Sequence, residues 1–336
     1  MENSTDQNKF HFIVGIGRSG TTLLMSMLNA HPAIQATPEI NFFNFFSAQW
    51  ESRKRFSEAD KKRVMQFVLR YRNHNFSGFG FDLGHFEETE SRGFAALYKN
   101  FYSSFTYGGE RKQSRFFFDK NPINSLYLER IIRLFPESKF VFLLRDPRAG
   151  YLSRRQKVNF RSTNIYFNAY RWLLYNQEVL KFVTMYPEKF FILRYEDLVS
   201  EPEKEMRRMA AFFHFDYDER MLRFHENVTK NSLTKAASEK QERALTKYAD
   251  LSKPVNTSRM NAWEAELSPE EIHIIDTITS RLASAFGYEQ HTAAAGTFSP
   301  LKALKGRIKA RAGILKDKLQ SNLPLRIKLS RGRKKG

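Results

Sequence analysis

The stretch Gly15-Ile16-Gly17-Arg18-Ser19-Gly20-Thr21-Thr22 combines glycines, hydroxyls and one arginine in a spacing suited to holding an anion. It fits the phosphate-cradle template G-x-x-x-x-G-K-[ST] at Gly15, Gly20 and Thr22, with Thr21 where the lysine belongs. Backbone N–H groups of such a loop, with the N-terminus of the helix that follows, bind phosphate whatever the next chemical step is. The lysine reaches the β- and γ-phosphates in nucleoside triphosphate enzymes, so its loss points to a ligand with a shorter 5′ phosphate group. Arg18, inside the loop, returns a cation with a bidentate fork. Gly17, Arg18, Ser19, Gly20, Thr21 and Thr22 are therefore the candidate cradle.

The elements that must position this loop alternate between strand and helix. Phe10–Val14 reads as a short buried strand and Leu23–Asn29 as a helix, stopped by His31-Pro32. Arg115–Lys120 is a second strand, closed by Asn121-Pro122 and followed by a helix over Ser125–Leu134. Lys139–Leu144 is the clearest buried strand and delivers Arg145-Asp146-Pro147-Arg148 at its C-terminal end. A long helix over 165–185, a strand over Lys189–Tyr195 and an amphipathic helix over Glu201–Phe213 complete the series. The alternation predicts an α/β fold, a P-loop NTPase-like parallel sheet flanked by helices, as a single domain with helical insertions. Asp60–Tyr71 is expected to be helical and 73–93 to be loops. The run Phe42, Phe43, Phe45 and Phe46 reads as core packing rather than an acceptor pocket.

Taken together, the motifs carry a resemblance. The loop with Leu23-Leu24, then Ala30-His31-Pro32 and Pro38-Glu39, is similar to the 5′-phosphosulfate loop of sulfotransferases that use 3′-phosphoadenosine 5′-phosphosulfate (PAPS). The branch it resembles includes tyrosylprotein sulfotransferases and related bacterial-type sulfotransferases. Phe142-Leu143-Leu144-Arg145-Asp146-Pro147-Arg148-Ala149-Gly150-Tyr151-Leu152-Ser153 resembles that family's 3′-phosphate motif, and Arg194-Tyr195-Glu196-Asp197-Leu198 a third family stretch. The likeness covers about 10 to 215.

The resemblance implies PAPS as sulfuryl donor, a hydroxyl acceptor, and a role for each matching residue. Arg145 and Ser153, eight residues apart across a strand end, would bind the 3′-phosphate as one charged fork and one hydroxyl; the plain alternative pairs Arg145 with Asp146. Arg148 is a weaker candidate for the same phosphate or the adenine side. Glu39 would be the general base if partial burial tunes it, with a helix-capping glutamate as the alternative. His31 competes for that role, although His-Pro also ends a helix. Lys120, in the branch's Lys-x-Pro pattern, would stabilise the bridging oxygen as charge develops, helped by Arg18. Tyr195 would lie against adenine or ribose, and Lys253-Pro254-Val255-Asn256 is similar to the branch's cofactor lid.

Composition narrows the alternatives. Among 336 residues there is no Cys, which excludes disulfides, thiolate metal sites and cysteine nucleophiles and fits a reducing compartment. No long uncharged apolar run and no signal-peptide core are present, so the expected location is cytoplasmic. No His/Asp/Glu cluster has a ligand spacing, and no divalent metal is required. Of the net charge of +19, +12 lies in residues 301–336. The expected division is a disordered N-terminus (1–9), the domain that the resemblance implies to be a sulfotransferase (10–290), a linker (291–300) and a basic amphipathic tail (301–336). Leu301, Leu304, Ile308, Leu315 and Leu319 share one face of that tail. They suit a peripheral contact with an anionic membrane surface, and no nucleic acid is expected; a solvated basic helix accounts for the same residues equally well. Two other functions fit parts of the chain. A small-molecule kinase with an atypical phosphate-binding loop would need ATP and Mg²⁺. A basic membrane- or nucleic-acid-binding protein would act through the tail alone.

Overall fold

A computed structural model describes residues 9–46, 48–75, 79–107, 112–156, 164–226, 249–291 and 297–323. Five parallel strands form the main sheet: β1 (Lys9–Gly15), β2 (Ile34–Thr37), β5 (Phe116–Lys120), β6 (Phe140–Leu144) and β7 (Phe190–Arg194). Their order is β2-β5-β1-β6-β7, so β1 runs in the middle. The remaining strands, β3 (Phe79–Phe81) and β4 (Phe105–Tyr107), make a separate antiparallel pair.

Alternation along the strands explains why the strands read as apolar throughout. Phe10, Phe12 and Val14 of β1 join Phe117, Phe140 and Phe142 in one buried cluster. Ile13 joins Phe116, Phe118, Val141 and Leu143 in a second cluster on the other face. Both faces are covered by helices, as a parallel sheet requires. Phe42, Phe43 and Phe46 are completely buried in the first cluster, Phe42 edge-on to Tyr98 at 5.1 Å, so they are packing as expected.

The strands expected from sequence at β1, β5, β6 and β7 are present within a residue or so, with Tyr195 opening a helix instead of ending β7. β2 escaped because it is four residues long and half polar. Gln35 is buried there, its Nε2 donating to the carbonyls of Tyr102 at 3.0 Å and Phe105 at 2.9 Å. The stretch expected to be loops between 73 and 93 holds β3 and the helix Leu83–Glu88, which Asp82 caps through the His85 N–H. Asp60–Tyr71 lies within the longer helix Glu58–Asn75.

The tail helix, Pro300–Gln320, packs along Ile165–Met185 through Ala303, Gly306 and Ala310. A Cβ on Gly306 would stand 2.7 Å from Tyr166 Cβ, so glycine sets the closeness of the two helices. The five aliphatic residues expected to share a face do so, and that face points away from the body with each residue 54–61% exposed. Residues 1–8, residues 292–296 of the linker, and 324–336 lie outside the described residues. Among the described residues no helix is long and apolar enough to cross a membrane.

Candidate active site

Every strand of the main sheet contributes to the site at its C-terminal end. In sheet order these are Glu39 just beyond β2, Lys120 closing β5, the glycine loop after β1, Arg145 after β6 and Tyr195 after β7. Ligands of open parallel sheets bind at this edge, where neighbouring crossovers diverge. β5 and β6 flank β1, so Lys120 and Arg145 lie on opposite sides of the glycine loop, two strand spacings apart across the sheet and with Arg145 further along the strand direction.

The loop's shape is fixed from outside. Gly15 has φ 133°, and a Cβ there would stand 2.3 Å from the Leu143 carbonyl oxygen of β6. Ser125 pins the same residue twice, accepting from Gly15 N at 2.8 Å and donating to Gly15 O at 2.9 Å. Gly20 has φ 92° and serves as N-cap of the helix Thr21–Ala30 without a side-chain cap. The first N–H groups of that helix therefore remain for an anion. Nothing stands within 4 Å of a Cβ built on Gly17, so the space beside that residue is open.

Arginines crowd around this loop. Arg18 Nε donates to Ser153 Oγ at 3.0 Å. Arg145 Nη1 donates to Arg18 O at 3.3 Å and Nη2 to Arg259 O at 2.7 Å, with the guanidinium 4.1 Å over the Tyr195 ring. Arg154 donates to Gly17 O. Burial, together with the nearby Arg171, Arg18 and Arg145, holds the Arg154 pKa down at about 9. Among the described residues no carboxylate lies within ion-pair distance of Arg145, because Asp146 pairs with Arg148 instead. Arg145 Nε and Ser19 Oγ are buried without partners. A bound anion would supply those partners and the missing negative charge. The residues present thus fit an adenosine bisphosphate-type group.

At the other end of the edge, Lys120 Nζ donates to Glu39 Oε1 at 3.0 Å. Lys120 is buried, whereas the Glu39 side chain is 46% exposed, so the burial expected to tune the glutamate is slight and its setting is the ion pair. Beneath them Asp119 accepts from Tyr98 Oη at 2.5 Å and Asn124 Nδ2 at 2.6 Å. Complete burial pushes the Asp119 carboxyl up to about 7.

Several candidates have other occupations. Arg148 is enclosed by Asp146 and Asp276 and lies 3.9 Å over the Trp263 ring, so it braces the helix Pro147–Arg155 and is withdrawn from the phosphate. His31 accepts from Ala33 N at Nδ1, its Nε2 lies 2.9 Å from Asp216 O, and it caps the helix as its His-Pro context implied; it is not placed as a base. Tyr195 is 8% exposed, its ring filling the space beside Gly20 and supporting Arg145, so it positions the loop rather than offering an open face to adenine. Lys253 is exposed on its loop; that segment reaches the site at Arg259, through its carbonyl. Sequence reasoning missed Arg259 because a backbone contact leaves no residue-type signal. It also missed Ser125, Arg154 and Asp119; Arg154, in the Arg154-Arg155 pair beside Ser153, and Asp119, an acid closing an apolar strand, carried a visible charge signature, and Ser125 carried none.

Residues 11–219 match the model of the Sulfotransferase family. Protein-tyrosine sulfotransferase 1 of Danio rerio is 24% identical over 286 residues, covering 83% of this chain and 72% of that protein. Protein-tyrosine sulfotransferase 2 of Gallus gallus is 27% identical over 293 residues, covering 83% and 69%. Among solved structures, the sulfotransferase domain of the Synechococcus PCC 7002 olefin synthase superposes with a TM-score of 0.57 at 19% identity, covering 86% of this chain and 98% of that one. The family match spans more than half the chain, over the residues that build the sheet edge, and the chain belongs to the sulfotransferase family.

Proposed function

We propose that this sulfotransferase takes its sulfuryl group from PAPS and delivers it to a hydroxyl with Glu39 as general base. The observation that carries the reading is the un-neutralised, buried Arg145 on one side of the loop and the Glu39–Lys120 pair on the other. When bound, the donor supplies a sulfuryl group already joined to a good leaving oxygen.

The chain's own residues do the rest. The loop N–H groups of Gly17 to Thr22 and the Arg18 guanidinium hold the 5′ end, and Arg145 with Ser153 holds the 3′-phosphate. Glu39 takes the proton from the acceptor hydroxyl. An ammonium has three donors, so Lys120 can bond Glu39 and still donate to the departing oxygen. The names of the relatives support a tyrosyl hydroxyl as acceptor. A phenol, with a pKa of about 10, is also the hydroxyl that asks least of a carboxylate base.

Titration calorimetry without metal tests the donor site. Adenosine 3′,5′-bisphosphate should bind, and Arg145→Ala should weaken it at least ~10-fold, as expected for loss of charge-assisted hydrogen bonds. Preferential binding of ATP with Mg²⁺ would overturn the reading in favour of phosphoryl transfer.

A further inference from the structure

The helix Pro300–Gln320 meets the body through small residues and turns large ones outward. At about 100° per residue, Leu301, Leu304, Ile308, Leu315 and Leu319 fall within about 60° of arc, nearly opposite the buried Ala303, Gly306 and Ala310. The stripe runs about 27 Å along the helix. It contains five of the nine exposed large hydrophobic residues found among the described residues. Patches of this kind on a soluble domain mark contact surfaces.

The stripe has a charged border. Lys302, Lys305, Lys309 and Lys316 project to one side of it, and Arg307 and Arg311 to the other, while Lys318 on that second side is paired with Glu178 of the body at 2.9 Å. Asp317, the one acid of this helix, faces the body, where Tyr175 Oη donates to its Oδ2 at 3.4 Å and Tyr127 Oη to its carbonyl at 2.6 Å. Tyr175 also accepts from Arg171 Nη2 at 3.3 Å, which links the helix to the arginines behind the site. By sequence, residues 324–336 add six further cations and no acid.

We propose that this outward face docks on an anionic lipid bilayer, aliphatic stripe in the acyl boundary and cations on the headgroups. A second copy of the chain is a poorer occupant. Two such stripes laid together would face lysine and arginine borders with each other and no acid between them. Nucleic acid would use the cations and leave the stripe wet, since aliphatic side chains offer no stacking platform. An anionic membrane uses both features at once. The inference does not depend on the sulfuryl-transfer reading.

Flotation of the full chain with phosphatidylcholine vesicles, with and without phosphatidylserine, tests it. The protein should float only with phosphatidylserine, and high salt should reduce the bound fraction. The double variant Leu304→Glu/Ile308→Glu should lower vesicle partitioning at least ~10-fold. Its thermal unfolding and bisphosphate affinity should be unchanged, because both side chains are more than half exposed. Failure of the wild-type chain to float would overturn the proposal, as would undiminished flotation of the double variant. A wild-type dimer in light scattering that the variant dissociates would assign the stripe to a second copy.

Discussion

Arg18 Nε donates to Ser153 Oγ at 3.0 Å, joining residues 135 positions apart. Sequence motifs assign the first to the 5′ end of the donor and the second to its 3′-phosphate. In the fold they form one unit, because Arg145 also donates to Arg18 O and Arg154 to Gly17 O. Binding at either end should therefore organise the other.

That coupling predicts the behaviour of Ser153→Ala. The substitution removes the hydroxyl that orients Arg18, so adenosine 3′,5′-bisphosphate should bind about 10-fold more weakly, the worth of one hydrogen bond to a charged group. Arg145→Ala should cost more, and the double variant should lose less than the two single losses combined. Calorimetry on the four proteins measures this. Strict additivity would separate the two ends.

Lys120 and Glu39 should behave as a pair in turnover but not in donor binding. Glu39→Gln should lower kcat by about 10²–10⁴ with bisphosphate affinity held, since a base acts on the acceptor proton. Lys120→Ala should lower kcat by about 10²–10³. Single-turnover assays with a tyrosine peptide would read both. A Glu39→Gln enzyme with normal kcat would return this residue to a purely structural part in the ion pair.

The three loop glycines make contrasting predictions. Gly15→Ala drives a Cβ to 2.3 Å from a backbone carbonyl, and Gly20→Ala meets the Tyr195 ring at 2.4 Å; both have positive φ. Each should destabilise the fold by about 1–3 kcal/mol. Gly17→Ala meets nothing within 4 Å and should melt like wild type. Its loss should appear in bisphosphate binding instead, because the added methyl fills the cradle. Equal losses of melting temperature in all three would show that the gap at Gly17 is not ligand space.

What was legible in the sequence followed from chemistry that repeats locally. The apolar runs at Phe10–Val14 and Phe140–Leu144 announce buried parallel strands, and the residues just after them announce an anion site. β2 was not legible, because Gln35 and Thr37 are buried through hydrogen bonds and not through apolarity. The part played by Arg148 was hidden too. In sequence it stands level with Arg145, and only the fold brings Asp276 and Trp263 to it from more than a hundred residues away. Tyr195 likewise reads as a ligand contact until the ring is found against Gly20. Long-range packing decides which of two similar side chains is left for the ligand.

Asp119 gives the last prediction, and its sign can be worked out. Burial raises its carboxyl from an ordinary 3.8 to about 7 in the folded chain, so the folded state holds a proton there that the unfolded chain has released. Between about pH 4 and pH 7 this group's contribution to stability therefore falls as pH rises, by at most about 4 kcal/mol over the window. Asp119→Asn keeps an oxygen to accept from Tyr98 and Asn124 and removes the ionisation. The melting temperature of the variant, relative to wild type, should climb from pH 4 to pH 7 and level off above. His11, held down at about 3 by burial and the nearby lysines, slopes the other way, adding stability as pH rises toward 6.5, but it is common to both proteins and cancels in the difference. A difference that stays flat across the window would mean that Asp119 keeps its charge beneath Lys120, and that the pair above it rests on an ionised layer.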